Sequence, residues 1–180
     1  MPSSDGENQV TVETATPSGS AGYAYDGAGN RITKTIQGGG QGYVYDYRNQ
    51  LVSVADLSLS PAVTWSFRYD ALGRRVSEER VQGASATTSL FYYAGQDIIV
   101  ETDGSHAVQR ETVFGVGVDS VEWTSAQGVE RFPLEDSLGS VVAVVDKYGT
   151  VMTSFTYTPY GETTQGGSES YPYAFTGRRR

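Results

Sequence analysis

The sequence predicts an all-β fold of serial antiparallel hairpins, forming a curved sheet or part of a β-shell. Three observations carry this. Aromatic residues recur at every second position in several segments, which is the period of a strand whose two faces differ. These segments run into an Asp, and three residues later comes a Gly or Asn. The composition suits strands and turns, with 20 Val against 7 Leu, 13 Tyr and 22 Gly in 180 residues. β-Branched and aromatic side chains fit a pleated surface, and Gly turns the chain where φ must be positive.

The unit reads Tyr23-Ala24-Tyr25-Asp26-Gly27-Ala28-Gly29. It returns as Tyr43-Val44-Tyr45-Asp46-Tyr47-Arg48-Asn49, and again as Phe67-Arg68-Tyr69-Asp70-Ala71-Leu72-Gly73. Phe155-Thr156-Tyr157-Thr158-Pro159-Tyr160-Gly161 is a degenerate copy. Alternation puts Trp65, Phe67 and Tyr69 on one face of their strand, and Thr64, Ser66 and Arg68 on the other. A second strand follows each of the first three turns: Arg31 to Ile36, Leu51 to Val54, Arg75 to Glu79. A repeated strand-turn-strand unit signals an array before it signals an active site.

The turn has a mechanism. An Asp carboxylate accepts hydrogen bonds from backbone N–H groups just ahead of it and nucleates a turn. The residue three positions on reverses the chain in a left-handed conformation, which Gly adopts freely and Asn tolerates best among the others. The same spacing recurs at Asp136 to Gly139 and at Asp146 to Gly149. The predicted structural motif is therefore Tyr25, Asp26 and Gly29; Tyr45, Asp46 and Asn49; Tyr69, Asp70 and Gly73; Asp136 and Gly139; Asp146 and Gly149; and Tyr157 and Gly161.

Residues 1–22 read as a polar leader with room for one short strand at Val10 and Val12, and residues 23–180 as one β domain, truncated at its C-terminus. Gly38 to Gly40, Asp56 to Pro61 and Gly83 to Ser89 read as connections. Asp103-Gly104 and Gln127-Gly128 read as hairpin turns.

Net charge is −8 and the isoelectric point is near 4.6. This argues against nucleic acid as a partner, because phosphate contacts need clustered Lys and Arg. Arg178-Arg179-Arg180 is the only basic run and reads as a flexible or truncated end. The absence of Cys excludes disulfides and thiolate metal sites. No apolar run approaches the ~20 residues of a membrane span. The polar start, Met1 to Glu7, carries no signal peptide.

No catalytic, cofactor or metal residue is assigned, and the chain is read as a non-enzyme. Ser105 and His106 are neighbours after an Asp-Gly pair and read as loop residues, since a triad is defined by geometry and not by adjacency. The repeat carboxylates read as turn caps rather than as an acid/base pair, because their spacing to Gly or Asn follows from capping alone. No segment has the spacing of a calcium loop. Trp65, Tyr69, Tyr92, Tyr93 and Trp123 have two readings: packing across strands, or contact with glycans. Packing is preferred, because cross-strand aromatic pairs routinely stabilise sheets. Arg31, Arg68, Arg74 and Arg75 are expected in cross-strand ion pairs.

Tyr-Asp-x-x-Gly-x-Arg, as it stands in Tyr25 to Arg31 and Tyr69 to Arg75, resembles the YD repeat of RHS proteins. These are bacterial polymorphic-toxin scaffolds with relatives among toxin-complex subunits and the teneurins. Asp136-Ser137-Leu138-Gly139-Ser140-Val141, Asp146 to Gly149, Tyr157 to Gly161 and Phe175-Thr176-Gly177-Arg178 resemble the RHS core block in order. The chain departs from it at Ser137, where the family often has His, and at Thr158, where Asp is usual. The self-cleavage site of many members lies beyond the matched residues, so no cleavage is carried over. The resemblance implies a shell that encloses a cargo or toxin polypeptide against neighbouring repeats, in a parent protein that is secreted or on the cell surface. Open strand edges would invite self-association. The alternative is an extracellular carbohydrate-binding or adhesion module using the aromatic faces.

Overall fold

The computed structural model describes residues 3–4, 9–14, 20–117, 119–159, 161–167 and 169–177. Among them the fold is all-β: sixteen strands whose order in the sheet follows their order in the chain, with antiparallel pairing and one short 3-10 turn, Phe175–Gly177. Arg178 to Arg180 lie outside the described residues. The chain divides into two compact units, Met1–Leu90 and Phe91–Arg180, at a point where the sequence shows no linker.

The first unit contains β1 (Ser3–Ser4), β2 (Val10–Thr14), β3 (Ser20–Tyr25), β4 (Arg31–Ile36), β5 (Gly39–Tyr45), β6 (Leu51–Asp56), β7 (Val63–Tyr69) and β8 (Arg75–Gln82), and part of β9 (Ser85–Ala94). Two stretches read as connections are strand. Ser85 to Ser89 pair with β8, and Gly39 and Gly40 open β5. The glycines pair there because nothing larger fits. A Cβ on Gly39 would meet Ser58 Cα at 2.5 Å, and one on Gly40 would meet the Lys34 carbonyl at 2.6 Å.

Among its described residues the first unit has no buried cluster. Its extensive contacts run between sheet neighbours, and Val63 is its one fully buried hydrophobic residue among those described. Its faces differ as alternation dictates. Tyr43, Val54, Trp65, Arg80 and Thr87 lie directly opposite one another across five strands, while Gly42, Ala55, Thr64, Val81 and Ala86 form a parallel row of small residues pointing the other way.

The second unit contains the rest of β9, then β10 (Asp97–Asp103), β11 (Val108–Phe114), β12 (Val121–Ala126), β13 (Val129–Glu135), β14 (Val141–Val145), β15 (Val151–Tyr157) and β16 (Thr163–Gly166). Here there is a core: Val121, Val141, Val144, Phe155, Tyr171 and Tyr173, with Phe114 and Tyr157 against it. The two core tyrosines come from a strap, residues 169–177, that returns over the sheet face. The alternation Tyr171-x-Tyr173-x-Phe175 gives the strap its aromatic side chains. Tyr173 meets Phe114 edge-on at 6.0 Å, and Phe175 lies 5.5 Å from the Tyr157 ring. Such pairs stabilise beyond their buried area. The Val141 N–H donates to the Ala174 carbonyl at 3.0 Å, the Thr176 N–H donates to Ser140 Oγ at 3.1 Å, and Arg131 forms an ion pair with Glu169.

Candidate functional site: the repeated turn and its aromatic face

Each turn of the repeat is built the same way. In the first, the Asp26 N–H donates to the Asn30 carbonyl at 2.9 Å and the Gly29 N–H returns to the Asp26 carbonyl at 3.0 Å. Asp26 Oδ1 accepts from the N–H groups of Ala28 and Asn30, both at 2.9 Å. Asp46, Asp70, Asp136 and Asp146 repeat these four bonds on their own turns. Gly29, Asn49, Gly73, Gly139, Gly149 and Gly161 all have φ between 58° and 84°. Thr158 stands in for Asp at the last copy: its Oγ1 accepts from the Glu162 N–H at 3.2 Å.

Sequence reading missed one copy. Asp103 caps Ser105 and Ala107 at 2.9 and 3.0 Å with the same bond pattern, and the left-handed residue is His106 at φ 66°, not Gly104. The signal was there: a strand begins five residues after Asp103, as after Asp26 and Asp70. A histidine at the reversing position hid it, because a non-Gly residue there is unfavourable. Ser105 Oγ donates to Asp103 at 2.7 Å, and His106 Nδ1 shares a 2.8 Å hydrogen bond with the Tyr92 hydroxyl. His106 therefore contacts Tyr92, while Ser105 bonds to Asp103.

The bonds hold four of these carboxylates in the charged form. Asp26 is lowered from the ordinary value of 3.8, chiefly by the Asn30 side chain, Asp103 by the Ser105 hydroxyl, and Asp70 and Asp146 by the backbone N–H groups of Arg74 and Thr150. Carboxylates that accept several N–H bonds resist protonation, the opposite of what a general acid needs.

A bulge follows the turn and explains the motif arginine. Ala24 opposes Thr33, but Tyr25 opposes Arg31, and the same slip sets Tyr69 against Arg75. The extra residue returns the arginine to the aromatic face. Arg31 lies over the rings of Tyr23 and Tyr43 at 5.7 and 4.8 Å, and Arg75 over Phe67 at 5.1 Å. The expected cross-strand ion pairs are thus corrected for three of the four arginines. Arg31 stacks, Arg74 bonds to Asp70 within its own turn at 2.7 Å, and Arg75 reaches Glu78 along its own strand at 3.3 Å. A cross-strand pair does exist elsewhere, between Arg110 and Glu101.

The five residues weighed for glycan contact sit in different settings. Trp65 lies in β7 beneath Arg80, whose guanidinium is 5.8 Å from the ring, and Tyr69 is bonded to the backbone of β6. Tyr92 and Tyr93 are neighbours in β9 and so point to opposite faces, and Trp123 lies in β12 opposite Val113. Among the described residues no three His, Asp or Glu side chains are grouped to hold a metal ion, and no helix is long and apolar enough to cross a membrane.

The family model of the Teneurin YD-shell matches residues 10–175. The chain belongs to this family. It is 25% identical over 195 aligned positions to the tRNA3(Ser)-specific nuclease WapA of Bacillus spizizenii, an alignment covering 88% of this chain and 8% of that protein. The crystal structure of TcdB2-TccC3-Cdc42 superposes with a TM-score of 0.63 at 17% identity, covering 99% of this chain and 11% of the other. The Photorhabdus luminescens Tc holotoxin pore gives 0.59 at 16% identity, covering 89% and 11%. The YD-shell chain thus spans about a tenth of the length of these relatives, and the structural likenesses are likenesses of fold.

Proposed function

We propose that this YD-shell segment is a non-enzymatic length of wall in an RHS-type shell that encloses or presents a toxin polypeptide. The observation that carries the reading is the sevenfold repetition of one capped turn along a sheet whose strand order never departs from chain order. Such a sheet lengthens by adding hairpins, and its recurring polar residues are consumed in building it. The Asp carboxylates are tied to their own backbones, which leaves them poorly suited to acid–base work. A wall of this kind acts by excluding solvent and proteases from what lies behind it. Its partners are the toxin polypeptide and the neighbouring repeats, and its parent protein is exported or displayed at the cell surface. Among the described residues β1 and β16 are the outermost strands of the sheet order, and sheet edges favour self-association of the isolated chain.

Limited proteolysis of the full-length gene product tests this. Enclosure predicts that the toxin segment resists trypsin in the intact protein and becomes cleavable when the wall is weakened by Gly73→Val. Cleavage of that segment at equal rates in both proteins would overturn the proposal.

A further inference from the structure

The two units treat their aromatic faces differently. In the second, Phe155 is only 3% exposed because the strap lies in the same cluster. The strap enters with Glu169 on Arg131 and then lays down Tyr171, Tyr173 and Phe175. Phe155 and Tyr157 hold the motif positions of Tyr43 and Tyr45, and of Phe67 and Tyr69, in the first unit. There the corresponding rings are half-buried by their strand neighbours, and none of them joins a buried cluster. On Tyr43, on Phe67 and on the neighbouring Trp65 lies a guanidinium. Arg31 is over Tyr43, Arg80 is over Trp65, and Lys34 stands opposite Gln41 on the same face. Among the described residues none of these three cations has a carboxylate partner. Arg31 donates to the Tyr43 hydroxyl at 3.2 Å and Arg80 to Gln82 Oε1 at 2.6 Å, and although Asp56 and Glu78 share the face, Glu78 is held by Arg75, which leaves the face an excess of cations in a chain of net charge −8.

We propose that this aromatic, cationic face of the first unit is a docking surface for an extended, acidic segment of polypeptide with aromatic residues at alternate positions. The strap shows the chemistry that the motif face accepts: a carboxylate for an arginine, then rings against rings. In the first unit two of the cations, Arg31 and Arg80, are set over the rings themselves. An incoming carboxylate would bridge neighbouring guanidinium and ammonium groups while its flanking side chains extend the aromatic stack. The opposite face, lined by Ser66, Arg68, Ser77, Glu79, Thr88 and Leu90, carries an acid beside its arginine and small hydroxyl residues, with no ring among them. The proposal rests on the wall reading and adds the chemistry of what the wall holds.

The test uses the full chain and two synthetic peptides, Glu-Glu-Tyr-Glu-Tyr-Glu-Phe and its counterpart with every Glu replaced by Lys. Binding is followed by tryptophan fluorescence and calorimetry. The acidic peptide should bind saturably, and more weakly as salt rises, because exposed charges are screened. Arg80→Gln should weaken it about fivefold, and Arg31→Gln, at an exposed position, should do the same if the Arg80 variant folds poorly. Arg68→Gln, an equal charge change on the opposite face, should leave it unchanged. Failure of both peptides to bind, equal binding of the two, or an equal loss in Arg68→Gln would overturn the proposal. The proteolysis result for the wall would stand apart from any of these.

Discussion

The Tyr69 hydroxyl donates to the Leu51 carbonyl at 2.7 Å, joining one copy of the repeat to the bulge of the copy before it. Leu51 opens β6 directly after the Asp46 turn, where the register slips and the ladder is interrupted. Tyr157 makes the same bond to the Val141 carbonyl, at the bulge after the Asp136 turn. This gives the tyrosine of the Tyr-Asp pair a physical reason. It satisfies an acceptor at the point where a bulge disturbs the ladder. Burial also pushes the Tyr69 phenol above its ordinary pKa, keeping the donor proton in place.

Tyr69→Phe and Tyr157→Phe should each lose about 1 kcal/mol in urea denaturation, the worth of one part-buried hydrogen bond. Tyr45 makes no such bond, so Tyr45→Phe should fall within about 0.5 kcal/mol of the wild type. Equal losses in all three would detach the effect from the bulge.

The hidden turn gives a test of opposite sign. His106 occupies a left-handed position that glycine adopts without strain. His106→Gly should stabilise the protein by about 0.5 kcal/mol, the relieved strain outweighing an exposed bond to Tyr92. Gly104→Ala should be close to neutral. If Gly104→Ala were the damaging change, the reversal would lie at Gly104.

Gly177 ends the strap against the backbone, where an added Cβ would sit 2.2 Å from the Asp119 carbonyl. Gly177→Ala should destabilise the second unit by about 1–3 kcal/mol, as overpacking does. Hydrogen exchange should show the loss at Val141 and Thr176, whose N–H groups hold the strap, and not in the first unit.

The lowered carboxylates fix a direction for acid unfolding. Asp26, Asp70, Asp103 and Asp146 are depressed below 3.8 by bonds that exist only in the folded chain. Their stabilisation is present above the unfolded-state value and is lost as pH falls through the folded-state values. The melting temperature should hold between pH 7 and about pH 4.5 and fall below that. Asp70→Asn should melt lower at neutral pH and lose less on acidification. A variant as acid-sensitive as the wild type would show that the cap does not contribute.

The array was legible in the sequence because capping and reversal both need particular residues at fixed spacing. Asp-x-x-Gly with aromatic alternation on one side leaves few alternatives. The copies that departed from these types were harder to read. Thr158 reads only as a degenerate copy, and Asp103-Gly104 reads as an ordinary hairpin turn. Tertiary context overrode local signals at Gly39 and Gly40, which look like linker but lie in strand because Ser58 and Lys34 leave no room for a side chain. The strap was the largest omission as packing. Tyr171, Tyr173 and Phe175 alternate like a strand, yet nothing local says that they return over the sheet. Arg31 and Arg75 depart from cross-strand ion pairing because a bulge, invisible to simple alternation, moves them to the aromatic face.

The proposed function has these hairpins forming a wall around a polypeptide. Electron cryomicroscopy of the full-length gene product addresses it most directly. The hairpins of residues 20–177 should lie in the wall of a closed shell, with additional polypeptide density inside it. A shell-less arrangement, or an interior holding only solvent, would contradict it.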